Sequence, residues 1–171
     1  MKTACLLLFL CVMCSAQTKS TAQNKAAKSA AFAASGLAAY DSIRSLEDNA
    51  DAPDVGFQPR QIEAEKNLAT AGHKVKTDED KRQFAILKTW MEMISSYREY
   101  RVPPHTTDVN GFKRQNAFFM ARAYCTLEAD LAFNPSVLGT RMEAAKQANC
   151  VESAREADAK VQASIHDEIA H

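Results

Sequence analysis

The chain has 171 residues, 21 basic and 21 acidic side chains and a formal net charge of zero, with 46% hydrophobic and 25% charged residues. That balance excludes a disordered tail, which lacks apolar content. It also excludes a nucleic-acid binder working by bulk charge, which is clearly basic.

At the N-terminus, MKTACLLLFLCVMCSAQ carries one lysine and then an uncharged run from Ala4 to Met13. This is the pattern of a secretory signal peptide. The run is too short for a membrane-spanning helix, which needs about 20 apolar residues. Cleavage is expected after Ala16, with Ala16 and Cys14 as the small residues of the site. Lipid attachment through Cys11 or Cys14 is the alternative, opposed by the large Leu10 and Met13 in front of them. Residues 1–16 are thus expected to be a signal peptide and 17–171 a single helical domain of 155 residues, secreted or periplasmic, with no membrane span. Without Lys2 it has 20 basic and 21 acidic side chains, a net charge of −1.

Proline and glycine fall in a few gaps: Pro53, Gly56 and Pro59, then Gly72, then Pro103, Pro104 and Gly111, then Pro135 and Gly139. Between them lie alanine-rich, charge-dotted segments without β-branched runs, which read as helices. The predicted helices are 22–49, 60–71, 77–101, 110–133 and 140–169. The fold class is all-α, an antiparallel up-down helical bundle. In the first helix Phe32, Ala39 and Leu46 face the core, and the turns from Thr21 to Ala30 are expected to fray. Pro59 sits at the first turn of the second, where a missing N–H costs nothing. Thr77 with Asp80, and Thr140 with Glu143, resemble capping boxes.

In the third helix Phe84, Leu87, Met91 and Ile94, with Trp90 and Tyr97 beside them, make a wide buried face. In the fourth, Met120, Tyr124, Leu127 and Leu131 recur at helical spacing, and Phe112 and Phe119 stand one heptad apart. These two helices are predicted to form the centre, with Cys150, Ala154, Ala157, Val161 and Ile165 of the last helix packed outside them.

Cys5, Cys11 and Cys14 leave with the signal, so the exported chain keeps Cys125 and Cys150. An exported protein with two cysteines usually pairs them. The last two helices form a hairpin in which Cys125 lies about 12 Å before the turn and Cys150 about 15 Å after it, at 1.5 Å per residue. A disulfide across that hairpin is expected, with two free buried thiols as the alternative.

Tyr97, Arg98, Tyr100 and Arg101, ahead of Pro103 and Pro104, are candidate interface residues, because tyrosine and arginine combine contact area with a polar tip. The alternative places Tyr97 in the core stripe, with Arg98 and Arg101 serving the helix end. No G-x-S-x-G or comparable nucleophile motif occurs, and the chain is read as no enzyme. Carboxylates such as Glu63 and Glu65 read as a solvated face. A Glu-x-x-His spacing occurs at Glu168 and His171, where ligands are poorly fixed; with His73, His105 and His166 scattered, neither metal nor other cofactor is expected.

The run QNAFFMARAYCTLE, followed by Gly139-Thr140 and Cys150, resembles the LprI-type lysozyme inhibitor family over residues 115–160. Phe118, Arg122, Cys125, Glu128, Gly139, Thr140 and Cys150 stand at its motif positions. This helix lacks the family's tryptophan, and the chain lacks its N-terminal cysteine pair. The resemblance implies a small exported bacterial helical protein that binds another protein, such as a cell-wall hydrolase, and adds Arg122 to the candidate interface. Because lysozymes are basic, Glu47, Asp48, Asp51 and Asp54, or Asp78 to Asp80, would be the acidic counterpart. A small-molecule or metal-binding bundle is the alternative function.

Overall fold

The computed structural model describes residues 30–103 and 105–170, which are helical throughout apart from turns. The expected signal peptide, and the part of the first segment before residue 30, lie outside the described residues. Helix α1 covers 30–47, α2 Asp54–Gly72, α3 Asp78–Glu99, α4 Val109–Phe133, α5 Met142–Gln147 and α6 Cys150–Ile169. Two 3-10 turns, Pro135–Val137 and Gly139–Arg141, join α4 to α5.

Consecutive long helices run up and down, as expected, and α3 and α4 lie at the centre. Tyr40 of α1 stacks on Phe133 of α4, with ring centroids 5.6 Å apart, and leans on Trp90 of α3 at 5.9 Å. The first helix therefore fills the groove between the central pair. Its buried stripe holds the expected Phe32, Ala39 and Leu46, joined by Tyr40 and Ile43. On α3 the buried face is centred on Trp90, with Ile86, Leu87, Met93, Ile94 and Tyr97; Phe84 and Met91 are half-buried at its margins. Burying these large side chains stabilises by about 1.5–3 kcal/mol each. On α6 Cys150, Ala154, Ala157 and Val161 are buried as the spacing predicts, and Ile165 is half-buried against the core.

The capping box at α3 is present: Thr77 Oγ1 accepts from the Asp80 N–H at 3.1 Å, and Asp80 accepts from the Thr77 N–H at 3.0 Å. That pairing is local, and so it is readable from spacing alone.

Three expectations are corrected. Helix α2 begins at Asp54, six residues early, and carries Pro59 inside it. Proline near a helix N-terminus removes few internal bonds, and Phe57, nearly fully buried, anchors the added turns. The last segment is not continuous. Ala148 is extended, and Asn149 caps α6 by accepting from the Glu152 N–H at 3.1 Å. Asparagine is among the best N-caps, and it outcompetes the helix that alanine would otherwise continue. Thr140 consequently lies in a 3-10 turn and makes no capping box with Glu143, and no side chain caps the start of α5.

The third correction concerns the phase of α4. Met120 and Tyr124 are exposed, at 51% and 40%, as are Phe112 and Phe119; Leu127 and Leu131 pack in a small cluster with Leu138 and Ala145. The face turned inward carries Phe118, Ala121, Arg122, Cys125, Ala129 and Asp130. Two charged side chains thus sit where the apolar count predicted none, because α1 supplies their partners.

Candidate protein-binding face

The buried charges of α4 are consumed internally. Asp130 accepts from the Tyr40 hydroxyl at 2.8 Å and from Arg44 Nη1 through both carboxylate oxygens, at 2.9 and 3.1 Å. Burial and this carboxylate push the Tyr40 hydroxyl well above its ordinary pKa. One level up, Arg122 Nε pairs with Glu47 of α1 at 3.2 Å, and its guanidinium lies 4.0 Å from the Tyr97 ring centroid and 5.3 Å from that of Phe119. Glu47 Oε2, Arg122 Nη1 and Trp90 Nε1 are buried without a well-formed hydrogen bond. Burial raises the pKa of Glu47; Arg122 and the misaligned indole N–H oppose that rise without cancelling it.

The candidate interface residues at the end of α3 are also engaged within the fold. Tyr97 is buried and donates to Asp51 at 2.9 Å. Arg98 donates to the carbonyls of Ala50 and Ala52, both at 2.8 Å, pairs with Asp54, and stacks 3.9 Å over the Phe57 ring. Arg101, though exposed, reaches the Asp51 carbonyl at 3.1 Å. Tyr100 packs its half-buried ring 5.3 Å from Phe118. Together these side chains clasp the α1–α2 turn. Arg98→Ala is expected to cost about 2 kcal/mol, because it leaves two carbonyls and a carboxylate without a charged donor. Amide exchange from Ala50 to Phe57 should accelerate, and Arg98→Lys should not restore protection, since it lacks the planar fork.

The clasp also uses the acidic residues assigned above to a basic partner. Glu47, Asp51 and Asp54 are in these contacts, and Asp48 lies 3.7 Å from Arg44. Asp78 and Glu79 pair with Lys81 and Arg82, while Asp80 caps α3. Exposed acid held this way gives little steering to a basic protein.

Cys125 and Cys150 are disulfide-bonded, as expected, with their Cα atoms 4.2 Å apart. Glu128, one turn beyond Cys125, accepts from the Cys150 N–H at 2.7 Å and lies 3.4 Å from Arg82. A carboxylate on the first N–H of α6 complements that helix end. The motif positions Arg122, Cys125, Glu128 and Cys150 are therefore all used to fasten helices together.

What faces outward is a groove between α4 and α6. It is open on one side, has a volume of about 700 Å³, and is lined by Ala117, Met120, Ala121, Tyr124 and Ala157. Lys113, Glu156, Lys160 and Asp167 stand on its rim. Arg114 sets the register by reaching Ser164 at 3.3 Å and Glu168 at 2.7 Å, at the opposite end from the disulfide. From Ser153 to Asp167 the groove runs about 21 Å, four helical turns. The misplaced Met120 and Tyr124 belong to this groove and not to the core. Their exposure, together with a polar rim, is the signal that the sequence held without showing which way the helix was rotated.

Among the described residues, no group of three or more His, Cys, Asp or Glu side chains is placed to hold a metal ion, and no helix is long and apolar enough to cross a membrane. Comparison with protein-family models, with curated proteins and with solved structures found no match.

Proposed function

We propose that the chain is an exported, non-catalytic helical protein that binds another protein through the α4–α6 face, with a cell-wall hydrolase as the partner to test first. The observation that carries this reading is the exposure of Met120 and Tyr124, which line the α4–α6 groove. Large apolar side chains gathered on one face and rimmed by charge are the usual mark of a protein-binding surface. Buried ionisable groups, by contrast, are engaged with one another and not presented to a cleft. Export accords with the N-terminal pattern and with the disulfide, which persists in oxidising compartments.

The test is binding to a muramidase, with loss of its activity measured beside a Tyr124→Asp variant. Micromolar binding that Tyr124→Asp abolishes is the expected result. Absence of binding at that concentration removes the hydrolase as partner. A second reading, a small-molecule site, rests on the groove's volume, which falls in the range of ligand cavities. Its open, charged rim fits a protein better.

A further inference from the structure

Arg114, Lys146 and Arg155 are paired with Glu168, Glu143 and Glu152. Lys113, Glu156, Lys160 and Asp167 form no ion pair among the described residues; Lys113 only approaches Asn110, at 3.5 Å. The groove lining thus carries two cations and two anions outside any ion pair among the described residues, net zero, beside Met120 and Tyr124. A uniformly basic or acidic partner would leave two of the four opposed by like charge. A surface that meets its own copy must be self-complementary, and about a two-fold axis along the groove Lys113 and Asp167 are the complementary pair.

The register fixed by Arg114 and by the disulfide places Lys113 of α4 across the groove from Ser164 and Asp167 of α6, and Tyr124 across from Ser153. If two copies meet face to face about a two-fold axis running along the groove, α4 of each lies over α6 of the other at the same level. Lys113 then meets Asp167 of the partner subunit, twice by symmetry, and Met120 and Tyr124 are covered from both sides. We infer that the occupant of the α4–α6 groove is a second copy of this chain, so that two hairpins close into a four-helix layer. This rests on the protein-binding reading above and puts a second copy, in place of a hydrolase, in the groove.

Sedimentation and light scattering on the chain from Gln17 test it. The wild type should have twice the chain mass at micromolar concentration. Lys113→Glu and Asp167→Lys each oppose like charges at both symmetric contacts and should raise the dissociation constant about tenfold. Mixing the two variants should restore association as a heterodimer, since each then meets its opposite charge at both contacts. Met120→Asp should give monomer with unchanged helical circular dichroism. A wild type that stays monomeric up to about 100 μM, or a dimer indifferent to all three changes, overturns the inference. A monomer that still binds a muramidase through Tyr124 overturns it while leaving the protein-binding reading intact.

Discussion

Replacing Cys125 and Cys150 together by alanine should lower stability by about 3.5 kcal/mol on the chain-entropy model. The bond spans a sequence separation of 25 and closes that length of chain in the unfolded state. For a domain of this size the loss corresponds to about 10 °C in Tm. The bond matters here beyond entropy. It joins the middle of α4 to the first residue of α6, where the continuous helix has been interrupted at Ala148 and Asn149. Without it, α6 depends on Asn149, Glu128 and a stripe of small residues to find its register, and alanine buries little area per residue. Thermal unfolding with and without reductant measures the effect. The same fall on reduction as on double substitution is expected; an unchanged Tm would show that the hairpin packs without its crosslink.

Glu47→Leu should destabilise by about 3 kcal/mol, because it leaves the buried Arg122 guanidinium without a counter-charge. Arg122→Met should cost a similar amount by stranding Glu47. The double variant should recover most of the loss, reaching wild-type stability or exceeding it. The reason lies in the direction of the Glu47 shift: burial raises its pKa more than Arg122 lowers it. Buried ion pairs replaced by apolar side chains of matching volume are often neutral or stabilising, which is the outcome expected here. Chemical denaturation of the three variants decides this. A double variant as unstable as the sum of the singles would show that the pair stabilises the fold outright.

The same shift has a pH consequence. A carboxyl whose folded pKa lies above its unfolded value contributes stability that is full below the unfolded pKa and lost as pH rises through the folded one. The stability of wild type relative to Glu47→Gln should therefore fall over the pH interval just above the ordinary carboxylate range. A difference that rises over that interval would mean that Arg122 dominates burial.

The parts of the fold visible in the sequence are those set by local chemistry or by parity. The Thr77 cap needs only residues three apart, and Cys125 and Cys150 are the two cysteines that lie within the predicted helices. The stripe on α3 is readable because its buried residues are apolar. The rotation of α4 is not. Arg122 and Asp130 are buried against Glu47, Arg44 and Tyr40, which lie 75 to 90 positions away in the chain. A stripe count that scores charge as solvent-facing therefore turns the helix the wrong way. Tyr97 to Arg101 read as an interface for a separate reason: tyrosine and arginine suit a clasp as well as an interface. The break before α6 did leave a signal, Asn149 followed three places later by Glu152, but it lay hidden in an alanine-rich run that otherwise favours helix.

Amide mapping by NMR tests most directly the claim that the chain presents α4 and α6 for protein contact. Spectra are compared across a dilution series of the chain from Gln17 and during titration with a muramidase. Perturbations confined to residues around Lys113, Met120, Tyr124, Glu156 and Lys160 are the expected result. Perturbations centred instead on Tyr97 to Arg101 and the α1–α2 turn, with α4 and α6 unmoved, would contradict it.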